Sequence, residues 1–215
     1  MRKFILVAGT AALALSGAAL GNTYSTDGNA IDLAPFDDLY DGSLGSMASV
    51  SLNVGDSLSI SDVNVTVDIE HTWAGDLTWK LMSPNGTLVD LVSRAGFAET
   101  ADDGNGCCGE SSDLVFGNIY TIDDQAGTSS ETMGSGGDDP INSFSHYSSG
   151  FGNEFGLSSL NGENAQGVWT LYIGDGAGGD TGILDGFTLE ITGVPAPGAF
   201  ALLGLAGFAA RRRRG

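Results

Sequence analysis

Positive charge is what this sequence has least of. Its 215 residues hold eight Lys and Arg against 27 Asp and Glu, a formal net charge of −19. Six of the basic residues are terminal: Arg2, Lys3 and Arg211, Arg212, Arg213 and Arg214. Lys80 and Arg94 alone lie between them. A surface of this sign repels nucleic acid and anionic lipid and draws in cations. Histidine and cysteine are scarcer still: His71, His146 and the adjacent pair Cys107-Cys108. Zinc needs about four ligands at set spacing, which these residues do not supply. Long apolar runs are missing too. Phe4 to Leu15 and Gly198 to Ala210 both fall short of the roughly 20 residues of a membrane-spanning helix. No helical periodicity of useful length appears.

What is present is short alternation between turns, with 34 glycines as punctuation. The stretch Asp62 to Val92 organises the rest. Val63, Val65, Val67 and Ile69 alternate with Asn64, Thr66, Asp68 and Glu70, the period of a strand with one apolar face. Leu77, Trp79 and Leu81 repeat it, with Thr78 and Lys80 facing the other way. His71-Thr-Trp-Ala-Gly-Asp76 makes a tight loop between the two, and Ser83-Pro-Asn-Gly86 a turn before a third strand, Thr87 to Val92. These three are expected to form one antiparallel sheet with a shared apolar face. Further strands are expected at Ala30–Leu33, Ser49–Val54, Leu58–Ile60, 113–122 with a bend at Gly117-Asn118, Val168–Ile173 and Phe187–Ile191. Residues 127–156 read as one long Gly- and Ser-rich surface loop. Trp73, Trp79 and Trp169 are expected in the core. The pattern predicts an all-β fold, an antiparallel β-sandwich.

The run I-E-H-T-W-A-G-D-L, followed by S-P-N-G-T, resembles the P domain (Homo B domain) of kexin-like and furin-like proprotein convertases. Asn161-Gly-Glu-Asn-Ala-Gln-Gly167-Val-Trp-Thr-Leu171, Gly179-Asp-Thr-Gly182-Ile-Leu184 and Phe187-Thr-Leu-Glu-Ile191 resemble that family's later strands, with Phe187 where the family usually has Trp. Asp123-Asp124-Gln-Ala126 resembles a further bacterial P-domain segment. The resemblance implies a jelly-roll-like, galactose-binding-like sandwich over residues 22–193. In convertases such a domain packs against a subtilisin-like catalytic domain and stabilises it. The family terms are serine-type endopeptidase and proteolysis, but no catalytic domain accompanies the P domain in this sequence.

Both ends read as addresses. Residues 1–21 have the positive start, apolar run and small residues of a signal peptide, to be removed by signal peptidase. Residues 194–215 hold Pro195-Ala196-Pro197, a short apolar helix and Arg211 to Arg214, whose charge would stay cytoplasmic. This layout resembles the PEP-CTERM sorting tail of Gram-negative bacteria, with Ala196 in place of the usual Glu. There an exosortase cuts the tail after transient anchoring in the inner membrane; a plain tail anchor is the alternative. The expectation is a protein secreted or sorted to the cell envelope. Its role there would be structural or interactive, with exopolysaccharide or a separate protease as partner. A carbohydrate-binding jelly roll is a further alternative, with Phe144, Tyr147, Phe151 and Phe155 available to contact sugar.

Three fragments resemble protease motifs: Asp180-Thr-Gly182, Gly127-Thr-Ser129 and the two histidines. A subtilisin-type triad needs Asp, His and Ser ordered on an α/β scaffold. Here the order is wrong and the helices are missing, so no catalysis is expected and His71 reads as a packed structural residue. Cys107 and Cys108 are expected to form a vicinal disulfide in an oxidising exterior, with a cross-link to another chain as the alternative. The carboxylates are the better site candidates. Asp113, Asp123 and Asp124 form one expected calcium set and Asp175 and Asp180 a second, since calcium takes six to eight oxygens from carboxylates and loop carbonyls. The bland reading is that these are solvated turn residues.

Overall fold

The structure is a computed structural model and describes residues 18–26, 28, 30–134, 137, 139–148, 151 and 156–195. Ten strands run in chain order: β1 (Leu20–Ser25), β2 (Ile31–Asp32), β3 (Ala48–Val54), β4 (Leu58–His71), β5 (Leu77–Met82), β6 (Leu88–Ser93), β7 (Tyr120–Ile122), β8 (Phe144–His146), β9 (Gly167–Asp175) and β10 (Gly182–Pro195). They form a six-stranded sheet, β1-β10-β4-β7-β8 with β2 also on β10, and a four-stranded sheet, β3-β9-β5-β6. Among the described residues the helical segments are short 3-10 turns, and no helix is long and apolar enough to cross a membrane. This is the expected all-β sandwich, antiparallel except where β7 and β8 pair in parallel.

The alternating faces predicted from sequence meet in the middle. Val63, Val65, Val67 and Ile69 of β4 are buried against Leu77, Trp79 and Leu81 of β5 and Trp169 and Leu171 of β9. The Trp169 indole nitrogen donates to the Ala165 carbonyl at 2.8 Å, so this large ring enters the core with its polar group satisfied. Asn161-Gly162 turns back on β4, with the Gly162 amide donating to the Ile60 carbonyl at 2.8 Å.

The structure corrects the sequence reading in several places. β4 does not share a sheet with β5 and β6: the His71–Asp76 loop crosses from one layer to the other, so the apolar faces oppose each other instead of lying side by side. Period-two alternation says which side of a strand is apolar but not which sheet it joins. Thr78 and Lys80 do not face solvent; they are 0 % and 3 % exposed. The Tyr40 segment and the loop after β6 cover the outer face of β5, and Lys80 lies buried among Asp90, Asp102 and the Tyr40 ring. The strand expected over 113–122 shrinks to Tyr120–Ile122, preceded by isolated bridges at Asp113 and Leu114. Residues 127–156 hold a strand of their own, β8, and a 3-10 turn at Ser130–Thr132. Trp73 is half-buried in the crossing loop rather than in the core.

The remaining strands fall near their expected places. Leu58–Ile60 proves to be the start of the long β4, and Ile31–Asp32 is paired with β10. β1 begins at Leu20, pairing with Gly193, and β10 runs through Pro195, pairing with Leu58. Residues 1–17, Phe155, Ala196, Pro197 and Arg211 to Arg214 lie outside the described residues.

Candidate functional site

The motif residues converge at one end of the sandwich. β4 ends there at His71, β5 begins at Leu77, β9 ends at Asp175 and β10 begins at Gly182. Leu77 pairs with Asp175, and Gly182 with His71, so the H-T-W-A-G-D loop and the D-G-A-G-G-D-T-G turn are stacked by strand register. The 3-10 turn Ala74–Asp76 then places the Asp76 side chain beside both.

His71, Asp76 and Asp175 are 1 %, 2 % and 1 % exposed. His71 Nε2 meets Asp175 Oδ2 at 3.1 Å and its Nδ1 meets the Trp73 carbonyl at 2.9 Å. Nε2 therefore faces an acceptor, while Nδ1 lies against both the carbonyl and the amide of Trp73, the amide donating to it at 3.2 Å. Burial works against a charge on the ring, but the hydrogen bond and charge of Asp175, with lesser help from Trp73 and Asp180, raise the His71 pKa above its ordinary value. Asp175 Oδ1 accepts from the Ala177 amide at 3.3 Å, which closes the turn. Asp180 accepts from the Thr72 hydroxyl at 3.0 Å, and the Thr181 amide donates back to that hydroxyl.

Asp76 is the residue the sequence reading passed over. Its Oδ1 is buried with no hydrogen-bond partner. Burial, and then the charges of Asp175 and Asp180, push its pKa up to about 6. Its position before an apolar strand, after a Gly in the H-T-W-A-G-D run, is a signal that was available. What was not available is that the Gly176 amide closes onto the Asp76 carbonyl at 3.0 Å, sealing the carboxylate inside.

The other expected calcium ligands are scattered. Asp113 lines an open groove with Asp32 and Glu70. Asp123 accepts from the Gln125 amide at 2.8 Å in a local turn. Asp124 accepts from the Ser148 hydroxyl at 2.8 Å and the Ser158 amide at 2.7 Å, which ties the start of the long loop to its end. Among the described residues no group of three or more His, Cys, Asp or Glu side chains is disposed to hold a metal. Asp175 and Asp180 are close enough to act electrostatically on Asp76.

The protease-like fragments each have local contacts. Asp180 serves the turn, Ser129 Oγ accepts from the Glu131 amide at 3.2 Å, and His146 is stacked on Phe144 at 4.2 Å. Phe144 also packs on Tyr120, at 5.3 Å, while Tyr147 and Phe151 are each 39 % exposed. Cys107 and Cys108 are joined by a disulfide in the loop over the crossing segment.

Fold and site together define a two-sheet β-sandwich whose motif loops gather at one end around a buried histidine and carboxylates. Residues 60–106 and 140–191 match the family described as proprotein convertase P-domain, and this chain contains a P-domain. It is 26% identical over 147 residues to a calcium-dependent protease of Trichormus variabilis, and 28% identical over 144 residues to one of a Nostoc species. Each match takes 67% of this chain but 16% of the relative, so the chain spans about one sixth of those proteins. Among solved structures, it resembles the serine protease of Aeromonas sobria in complex with a chaperone, at 17% identity and a TM-score of 0.43, over 83% of this chain and 27% of that one. A likeness that distant carries no argument about function.

Proposed function

We propose that this chain is a non-catalytic P-domain module that is exported and acts by packing against another protein, a separate subtilisin-like protease being the partner the family suggests. The observation that carries this reading is the engagement of His71. Both of its nitrogens are taken up, by Asp175 and by the Trp73 backbone, and its ring is sealed from solvent. A general base needs a free nitrogen within reach of substrate. His71 instead locks two loops together. Export through a signal peptide, and sorting to the cell envelope by an exosortase, remain part of this proposal. So does a structural role among exopolysaccharide.

The purified protein should hydrolyse neither casein nor small peptide esters and should not label with serine-directed phosphonates. Hydrolysis that disappears in His71→Ala or Ser129→Ala, with the fold retained, would overturn the non-catalytic reading.

Calcium belongs to the same proposal. Both relatives are calcium-dependent proteases by name, which points to the metal. The donors fit it in kind. Asp76 offers a buried oxygen without a partner and Asp175 and Asp180 act on it electrostatically, though the three carboxylates do not converge as a preformed set among the described residues. Carbonyls and water would complete the six to eight ligands calcium takes. Bound there, the ion would neutralise carboxylates that otherwise repel one another inside the fold. A cation bound only by the folded state stabilises it by about 2.7 kcal/mol at a hundredfold excess over its dissociation constant. Millimolar calcium should therefore raise the melting temperature by several degrees, on the order of 5 °C. Asp76→Asn should remove the calcium response while making the metal-free protein more stable, because it deletes a buried charge. Calcium and ionic-strength-matched sodium giving one melting curve would contradict the assignment.

A further inference from the structure

The loop over residues 102–110 is pinned on both sides of its cysteine pair. Before the pair, the carbonyls of Asn105 and Gly106 accept from the Arg94 guanidinium. After it, the Glu110 amide donates to the Ala95 carbonyl at 2.7 Å, and the Glu110 carbonyl accepts from the Gly75 amide at 2.8 Å. Between these anchors Cys107 and Cys108 are joined by a disulfide, and both residues are exposed. We propose that this pair is a site of reversible thiol–disulfide exchange with a dithiol partner, and that its oxidation state decides whether the loop stays on the segment that crosses between the sheets.

An ordinary structural role does not account for the bridge. A disulfide stabilises a fold by closing a loop in the unfolded chain, and the gain grows with the length of that loop. Cys107 and Cys108 are neighbours in sequence, so their bond ties no distant segments together. What it constrains is the backbone of the pair itself. Cys108 has a φ of 74°, in the left-handed region that residues with a Cβ rarely adopt. The small ring made by the two side chains and the peptide between them limits the rotations by which Cys108 could leave that region. With the bond open, Cys108 is free to relax toward the ordinary regions of negative φ. That redirects the chain just where it runs on into Gly109 and Glu110.

The chain has little room to absorb such a change downstream. A Cβ at Gly109 would overlap the carbonyl oxygens of Ala95 and Gly75, so backbone lies directly on backbone there. No flexible side chain stands between them to take up a shift. A new direction at Cys108 therefore draws Glu110 away from Gly75 and Ala95 together, and both hydrogen bonds go. Asp76 follows Gly75, so the loosening reaches the sealed end of the sandwich, whether or not a metal binds there.

Exchange needs access to the sulfurs, and exposed disulfides are the ones that exchange readily. A thiolate of the partner dithiol attacks one sulfur, the S–S bond of the pair breaks, and a mixed disulfide forms. The partner's second thiol then attacks that mixed disulfide. Cys107 and Cys108 are left as two thiols and the partner as its own disulfide, so two electrons and two protons pass to the pair. The thiols remain adjacent in the chain, which makes closure under oxidising conditions an intramolecular step.

The test uses the full chain, labelled with 15N, with dithiothreitol as the dithiol and oxidised glutathione as the oxidant. Reduction under native conditions should open both cysteines to maleimide, read as two adducts by mass. Amide exchange at Gly75 and Glu110 should then quicken at least about tenfold. Gly162, whose amide bonds to the Ile60 carbonyl at the opposite end of the sandwich, should keep its rate. Oxidised glutathione should restore the first two. Cys107→Ser/Cys108→Ser should show the fast exchange without reductant and ignore dithiothreitol. The proposal is overturned if reduction frees both thiols and leaves Gly75 and Glu110 protected, or if the double variant is as protected as the parent. It is overturned equally if the bond yields only when Gly162 loses protection too, since unfolding rather than exchange would then have opened it.

Discussion

Arg94→Met should cost about 3–5 kcal/mol of folding stability, the range for removing one partner of a buried ion pair. In a domain of this size that lowers the melting temperature by about 10 °C. Arg94 is 0 % exposed and sits at a backbone φ of 49°, where the chain leaves β6. Its amide donates to the Leu77 carbonyl at 2.9 Å, and its carbonyl accepts from Phe97 at 2.9 Å. From that fixed point the guanidinium reaches Glu99 and the Asn105 carbonyl, at 3.5 Å and 2.9 Å, together with the carbonyl of Gly106. It ties the loop that carries the disulfide to the four-stranded sheet. Methionine fills much of the volume but leaves a buried carboxylate and two carbonyls without donors. Arg94→Lys should recover little, because a single ammonium cannot satisfy three acceptors laid out for a planar fork. Denaturant unfolding followed by tryptophan fluorescence measures both variants. In Arg94→Met/Glu99→Gln the two losses should fall short of additive, since the second change removes the charge the first one strands. A loss below about 1 kcal/mol for Arg94→Met, the size of an exposed ion pair, would show that the network does not hold the loop.

Gly75→Ala should cost about 3 kcal/mol or more, at the upper end for overpacking a rigid site. The reason is proximity rather than backbone conformation, since Gly75 is absent from the residues with positive φ. A Cβ at Gly75 would overlap the backbone of Gly109 and the amide nitrogen of Glu110. These atoms cannot swing aside as a flexible side chain would. The Gly75 amide donates to the Glu110 carbonyl at 2.8 Å, and the Glu110 amide donates to the Ala95 carbonyl at 2.7 Å. The disulfide loop is thus laid directly on the crossing segment, and a methyl group at Gly75 prises them apart. Because Asp76 follows immediately, the same substitution should also weaken the calcium response proposed above. Gly86→Ala is the comparison. Gly86 has a φ of 85° with open space around it, so the change costs about 1–2 kcal/mol of conformational strain and no steric conflict. Equal losses in the two variants would mean that the close approach at Gly75 is relieved at little cost.

The legible part of the fold was its periodicity. Val63, Val65, Val67 and Ile69 were read as one buried face and are one buried face. The turn at Ser83–Gly86, the later strands β9 and β10, and the β-sandwich class follow from the same local rules of alternation, Pro and Gly. Those rules act over two to four residues, so a sequence displays them directly. The candidate site was legible only in outline. His71 and Asp175 could be singled out, but their meeting at 3.1 Å across 104 residues depends on strand register.

Much of the charge pattern was beyond the sequence. Lys80 looked like the solvent side of a strand, yet it is buried because Tyr40, Asp90 and Asp102 arrive from three other segments to cover and pair it. Arg94 and Glu99 gave no local sign of burial. A charge enters a core only when distant groups compensate it, and the compensating groups are chosen by topology. What the sequence determined by itself was therefore the class of fold, the apolar faces and the turn positions, because short-range sterics and hydrophobic burial set them. Tertiary structure alone decided which sheet each strand joined and which charged side chains were sealed inside. Those outcomes rest on contacts between residues far apart in the chain, where solvent exclusion rather than local preference sets the energy.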